Sequence, residues 1–150
     1  MNFKPHSLRK LNSNFTITNI SSHVQNSTSP PLMLKGDSGA TNHYVSSDLI
    51  PALQNVKNNA SIQVTLLDDT ILQSTHSGYL PLQSLSSTAT KAHILPGLNR
   101  NSLLSLGQLA DDGCMILLNN KYMHVFKIFN EILRGFRNLV DGLWDVPIPL

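Results

Sequence analysis

Short alternations of apolar and polar residues, each closed by turn-forming residues, run along most of this chain. Residues 61–66 alternate between polar and aliphatic side chains, and a second apolar run at 70–75 follows the pair Asp68-Asp69. A period of two residues is typical of a half-buried strand, and two such runs around a tight turn indicate a hairpin. This stretch is therefore predicted to form an antiparallel β-hairpin.

Further strands are predicted wherever a brief apolar run ends in Gly, Pro, Asn or Asp. The Pro within residues 79–82 favours an edge strand there, because Pro lacks the N–H that an interior ladder needs. Asn119-Asn120 is predicted to be the turn of another hairpin. The predicted strands are residues 31–34, 43–45, 79–82, 89–95, 113–118, 122–126, 129–133 and 142–146.

One helix is predicted in the second half of the chain. Ser102 is a suitable N-cap, the leucines between residues 103 and 109 would form an apolar side, and Gly113 lies just past the end. A single helical turn is also predicted at residues 48–53. Many short strands with one helix predict an all-β barrel rather than a parallel α/β sheet.

Residues 1–30 differ from the rest of the chain in being rich in Asn, Ser and Thr without a steady hydrophobic period. The sequence Ser-Thr-Ser-Pro-Pro at 27–31 is typical of a linker, because Pro resists regular structure. We interpret residues 1–30 as a disordered or linker segment and residues 31–148 as the folded domain.

Composition and charge argue against several classes of function. The net charge of +2 and the pI near 8.8 come from scattered Lys and Arg, so direct nucleic-acid binding is not expected. No apolar run reaches the roughly 18 residues of a membrane span, and no signal-peptide core is present, so no membrane partner is expected. The single cysteine, Cys114, excludes an internal disulfide and favours a reducing, cytoplasmic location.

No metal or cofactor is expected either. The histidines lack metal-ligand spacing, no Gly-x-Ser-x-Gly motif indicates a serine hydrolase, and no glycine-rich phosphate loop occurs. His43 is close enough to the motif described next to line a cleft, although a packing or surface role is favoured. Trp144 is predicted to be a core anchor.

The stretch with the clearest chemical content is Gly36-Asp37-Ser38-Gly39, which follows the apolar run 31–34 and Lys35. The first Gly lets the chain bend, and the second lets a backbone N–H approach the carboxylate without a Cβ in the way. A carboxylate that accepts such bonds stays ionised at low pH. The alternative is a structural turn, because Asp, Ser and Gly are common turn residues.

An aspartic peptidase needs two carboxylates that share one proton. Only Asp37 lies in an Asp-Ser/Thr-Gly setting, since Asp69-Thr70 is followed by Ile71 and Asp111-Asp112-Gly113 lacks a hydroxyl residue. Both of those stretches are predicted to be turns. If Asp37 is catalytic, its partner must come from a second copy of the chain, which predicts a two-fold symmetric homodimer.

The order of several motifs resembles the protease region of Ty1/copia retrotransposon Gag-Pol polyproteins. The resemblance spans roughly residues 31–148. It is carried by Asp-Ser-Gly-Ala-Thr-Asn-His-Tyr at 37–44, Ile-Leu-Pro-Gly-Leu at 94–98, Asn-Ser-Leu-Leu-Ser-Leu-Gly-Gln-Leu at 101–109, Ala-Asp-Asp-Gly-Cys at 110–114 and Gly-Leu-Trp-Asp-Val-Pro at 142–147.

This resemblance implies a retropepsin-like closed β-barrel with one short helix, which cuts the polyprotein as a homodimer in the cytoplasm or in a virus-like particle. Asp37 would activate water, Ser38 would brace the two active-site loops, and Gly39 would let the backbone approach Asp37. The hairpin at 62–75 lies where a flap over an extended peptide substrate is expected. The helix after residue 102 would pack behind the catalytic loop.

The chain also departs from that family. Lys35 and Gly36 stand where an aliphatic residue usually precedes the Asp, and such an amine could hold the carboxylates ionised or point to solvent. The predicted flap tip is acidic and lacks glycine, and the chain ends before an integrase zinc site, as a fragment of a longer frame would. A catalytically inactive relic that acts as a structural or interaction module is the alternative, and an unrelated β-barrel binding protein is a third reading.

Overall fold

The computed structural model describes residues 32–99 and 101–149 of the chain, all within one compact unit. The prediction for residues 1–30 lies outside the described residues. The protein is mostly β, with 47% strand and 14% helix. The prediction of an all-β fold is therefore confirmed at this coarse level.

Twelve strands form the described domain. Most of them coincide with the apolar runs named above, including both predicted hairpins. In chain order, β1 to β12 are Leu32–Asp37, His43–Val45, Gln54–Asn58, Gln63–Thr65, Ile71–Gln73, His76–Tyr79, Lys91–Ile94, Leu103–Ser105, Cys114–Leu118, Tyr122–Lys127, Asn130–Arg137 and Trp144–Ile148.

Three short helices accompany the strands, whereas the resemblance implied one. A 3-10 helix covers Ser47–Ala52, where the single helical turn was predicted. Helix α1 is Ser87–Thr90 and is capped by the Ser86 hydroxyl, which accepts the Ala89 N–H. Helix α2 is Leu106–Asp111.

The predicted start of α2 at Ser102 is wrong. Leu103 and Leu104 belong to β8, and the N-cap is Ser105, whose hydroxyl accepts the Gln108 N–H at 3.1 Å. Ser102 is buried instead, and its Oγ accepts the Ser46 N–H at 3.0 Å. The leucine spacing fits a helix locally, but strand pairing on both sides of β8 decides the conformation.

Ten of the strands form one mixed sheet, and β4 and β5 form a separate two-stranded hairpin. The order of the large sheet is β3-β6-β7-β2-β8-β1-β12-β11-β10-β9. The pairs β1/β8 and β2/β7 are parallel, and the other pairs are antiparallel. Strand β8 thus lies between the two strands that flank the Gly36–Gly39 motif.

The sheet is open, because β3 and β9 remain at opposite ends of the order and no sheet of the described residues closes into a barrel. The predicted closed barrel is corrected accordingly. A flat sheet of ten strands would be roughly 48 Å wide, which three short helices are too small to cover. One core cluster contains side chains from nearly the whole width, so the sheet bends around its inner face.

The strand predicted at residues 79–82 also needs correction. Strand β6 ends at Tyr79 and lies between β3 and β7, so it is not an edge strand. Pro81 follows the strand and therefore removes no ladder bond. The inner face of the sheet holds the largest buried side chains, namely Leu32, Leu34, Val45, Leu80, Ile94, Leu104, Leu109, Met123, Val125 and Ile148.

Candidate active site

Asp37 is the last residue of β1, at the end of a strand in the middle of the sheet. Strand β1 pairs with β8 on one side, with Asp37 opposite Ser105, and with β12 on the other. Leu32, Leu34 and Gly36 face the core, so the alternation of side chains turns Asp37 to the opposite face. The strand therefore presents one carboxylate where the chain turns away.

The loop that follows folds back onto this carboxylate. The Gly39 N–H donates to Asp37 Oδ1 at 2.7 Å, and a Cβ on Gly39 would lie 3.3 Å from that oxygen. Ser38 is exposed beside it. This is the close approach predicted for the second glycine of the motif, whereas Gly36, predicted to let the chain bend, lies within β1 and pairs with Trp144 and Leu104. Gly36 in turn allows Met123 to pack tightly, since a Cβ there would lie 2.9 Å from its Sδ.

Ser105 joins the loop to the start of α2. Its hydroxyl donates to the Ala40 carbonyl at 2.5 Å, and the same oxygen caps the helix by accepting the Gln108 N–H. The segment that opens α2 thus lies directly behind the candidate catalytic loop.

Gln108 fastens three separate segments to one another. Its Oε1 accepts the His43 N–H at 2.9 Å, and its Nε2 donates to the carbonyls of Thr88 and Lys91 at 2.7 and 2.8 Å. Neither Gln108 nor Ser105 was singled out from the sequence. Both lie inside the 101–109 motif, but a side chain whose partners are distant in sequence leaves no local signal.

His43 is a buried packing residue and does not line a cleft. Its Nε2 donates to the Ala89 carbonyl at 2.8 Å, and its Nδ1 accepts the Ser105 N–H at 2.9 Å. Burial lowers the pKa of His43 to about 4, although the hydrogen bond to Ala89 opposes that shift. The ring is therefore neutral at physiological pH and fixed in one tautomer.

Lys35 is engaged by two carboxylates on the face of β1 that also carries Asp37. Its ammonium lies 2.6 Å from Asp141 and 2.5 Å from Asp145. These hydrogen bonds raise the pKa of Lys35 and lower that of Asp141. Of the two alternatives left open for Lys35, the structure argues against one that points to solvent, since only 16% of its side chain is exposed and two carboxylates contact its ammonium.

Among the described residues, no carboxylate is hydrogen-bonded to Asp37, whose side chain accepts the Gly39 N–H. All nine Asp and Glu residues of the sequence lie within the described ranges. The others hold partners elsewhere or lie in turns: Asp48 with Ser46, Asp68 with Thr70, Asp112 with Ser86 and Lys127, Glu131 with Arg134, Asp141 and Asp145 with Lys35, Asp69 in the β4–β5 turn and Asp111 at the end of α2.

The β4–β5 hairpin packs next to the Asp37 loop. Leu72 of β5 is buried with Tyr44 and Leu95, and Ala40 of the loop packs against the same cluster. At the tip Asp69 adopts a φ of 64°, a conformation in which Asp is tolerated better than most residues. The acidic tip therefore forms a tight turn without glycine.

A surface cleft of about 720 Å³ lies elsewhere, between β3, β6 and α1. Its lining includes Gln54, Lys57 and Tyr79 but no carboxylate and no histidine. A large pocket is the usual first candidate for a site, but the lining of this one lacks the carboxylates that an aspartic mechanism requires. The Asp37 loop is therefore the better candidate.

The described residues contain neither a cluster of metal-binding side chains nor a membrane-spanning helix. No three His, Cys, Asp or Glu side chains within residues 32–99 and 101–149 gather as metal ligands. Across the same ranges, every helix is too short or too polar to span a membrane.

Comparisons with protein-family models, curated proteins and solved structures returned no match.

Proposed function

We propose that this chain is an aspartic endopeptidase domain of a copia-type retrotransposon polyprotein, retropepsin-like in fold and active as a homodimer. The observation that carries the proposal is the Asp37 loop. The loop presents a carboxylate at a strand end, holds it with the Gly39 N–H and is braced from behind by Ser105. The described part of the loop offers one carboxylate and an aspartic peptidase needs two, so in this proposal a second chain provides the other.

In the proposed mechanism, two Asp37 carboxylates share one proton across a two-fold axis. Carboxylates about 3 Å apart cannot both ionise, so one remains protonated. The ionised Asp37 takes a proton from water as the water oxygen attacks the scissile carbonyl carbon, and its protonated counterpart donates to the carbonyl oxygen. Collapse of the resulting diol breaks the C–N bond as one carboxyl group protonates the leaving amine and the other takes a diol proton, which leaves one proton on the pair. No covalent intermediate forms. Ser38, exposed at the same turn, would brace the two loops against each other.

The β4–β5 hairpin is the proposed flap. It makes no ladder bonds to the large sheet, and its apolar side rests on the cluster that contains Ala40. A hairpin attached in this way can lift from the site and close over an extended peptide, which it would bind through main-chain hydrogen bonds. The proposed substrate is thus an extended segment of polypeptide.

The proposal is tested by incubating the protein with a library of unstructured peptides and mapping cleavage by mass spectrometry. Asp37→Asn removes the ionisable carboxylate with little change of shape, and Asp111→Asn makes the same change at an exposed position away from the loop. We expect Asp37→Asn to lose about a thousandfold in rate and Asp111→Asn to remain active.

Cleavage that persists in Asp37→Asn would refute the assignment of Asp37. If the folded wild-type protein cleaves no peptide even at high concentration, the proposal that it is a peptidase is refuted. A structural or interaction module is then favoured. A transition-state mimic of the aspartic class should block any cleavage that depends on Asp37.

A further inference from the structure

The loop between β11 and β12, residues 138–143, lies beside the candidate catalytic residue. Strand β12 runs antiparallel to β1 with Gly36 opposite Trp144, so the next step of that register brings Leu143 opposite Asp37. Neighbouring strands lie about 4.8 Å apart. The C-terminal end of the 138–143 loop, at Leu143, therefore lies one strand spacing from the end of β1.

Lys35 fastens the 138–143 loop to β1 through Asp141 and also contacts Asp145 at the start of β12. Within the loop, Leu143 donates its N–H to Asp141 Oδ1 at 2.9 Å, and Asn138 donates its N–H to the Leu143 carbonyl at 2.7 Å. These contacts order the loop within the single chain. A loop that is already ordered loses less conformational entropy when it binds a partner.

The tip of the same loop exposes two adjacent aliphatic side chains. Leu139 is 91% exposed and Val140 is 97% exposed, even though the Val140 N–H donates to Asn138 Oδ1 at 2.9 Å. Adjacent exposed apolar side chains form a small patch that can serve as an interaction site, and this pair differs from the similar pair Ile128 and Phe129 in lying on the loop next to the end of β1. The hydrogen-bonded loop thus carries an apolar tip, and its last residue, Leu143, follows the β1–β12 register to the position opposite Asp37.

We propose that the 138–143 loop is a dimer contact, which places Leu139 and Val140 against a second copy of the chain beside the paired Asp37 residues. This inference rests on the proposed function, because a shared-proton dyad needs its carboxylates about 3 Å apart. The two-fold axis must then pass next to Asp37. A loop one strand spacing from Asp37 then faces the other protomer across that axis. The alternative is that Leu139 and Val140 contact a bound peptide.

The test replaces the apolar tip by polar side chains in Leu139→Ser/Val140→Ser. Both positions are more than nine-tenths exposed, so folding should be unaffected. The matched control is Ile128→Ser/Phe129→Ser, because that pair is 75% and 93% exposed in the β10–β11 turn, at the opposite end of β11. Sedimentation velocity over a concentration series gives the dimer dissociation constant of each protein.

We expect the Leu139/Val140 variant to dissociate at least about tenfold more readily, because each dimer loses four buried aliphatic side chains. The Ile128/Phe129 control should match the wild type. Val140→Lys is a second variant, which places like charges near the axis and should also weaken the dimer. If circular dichroism shows that the double variant is unfolded, the dissociation constant of Val140→Lys is used as the test instead.

An unchanged dissociation constant, an equal effect in the control, or a wild-type protein that stays monomeric at every concentration would overturn the inference. A normal dimer with a raised KM for peptides would assign the loop to substrate and would also overturn it. Sedimentation velocity measures the dimer dissociation constant whether or not the protein cleaves peptides. A dimer that depends on Val140 but cleaves nothing would therefore refute the proposed function alone.

Discussion

Protonation of His43 should destabilise the fold as the pH falls, and the loss can be worked out from its burial. The ring is 0% exposed and is enclosed by the Ala89 carbonyl and the Ser105 N–H. Burial lowers the pKa of His43 from 6.5 to about 4 in the folded protein. A charged ring would also displace the Ser105 N–H, because both ring nitrogens would then be donors.

The direction follows from the two pKa values. Between about pH 6.5 and 4 the unfolded chain binds a proton at His43 that the folded protein does not bind. The stability that His43 contributes is therefore fully present above the unfolded pKa and is lost as the pH falls toward 4. The full loss is about 3 kcal/mol, and about 2 kcal/mol of it is already lost at pH 5.

Urea unfolding at pH 7 and pH 5 measures this loss, since most carboxylates remain ionised at both values. The wild type should lose about 2 kcal/mol more than His43→Gln, which has no ring to protonate. His76→Gln is the control and should behave like the wild type. The contribution of His93, whose burial also lowers its pKa, is common to all three proteins. Equal losses in all of them would refute the assignment of His43.

Three further substitutions test the packing behind the site. Gln108→Leu should destabilise the protein by about 2–3 kcal/mol because three hydrogen bonds, two of them partly buried, are lost. A neutral effect in urea unfolding would contradict the bracing role of Gln108. Gly135→Ala should cost up to about 3 kcal/mol and Gly36→Ala about 1, since a Cβ at Gly135 meets the Asp145 carbonyl at 3.2 Å whereas one at Gly36 meets the flexible end of Met123. The reverse order in thermal unfolding would refute this comparison.

Most strands could be located from the sequence because their signals are local, although β3 was not predicted. Alternation over 61–66 and a turn at Asp68-Asp69 depend only on neighbouring residues, and the β4–β5 hairpin lies there. The start of α2 could not be located in this way. Leu103 and Leu104 satisfy a helical and a strand pattern equally well, and the choice is made by pairing with β1 and β2.

The candidate site divides in the same way. The approach of the Gly39 N–H to Asp37 is a property of four consecutive residues and could be predicted. The bond from His43 to Gln108 joins residues 65 positions apart, and the Lys35–Asp141 pair spans 106 positions. Such contacts depend on the strand order of the whole sheet, which local sequence patterns do not determine. For the same reason, the sequence could not predict that the sheet is open.

The most direct test of the central claim is a mixing experiment between wild type and Asp37→Asn. The two proteins are combined in equal amounts at constant total concentration, equilibrated, and assayed on a peptide that the wild type cleaves. If two Asp37 residues form each site, only dimers of two wild-type chains are active, and about a quarter of the activity should remain. Retention of about half would mean that each chain carries a complete site, and the account of a shared dyad would be wrong.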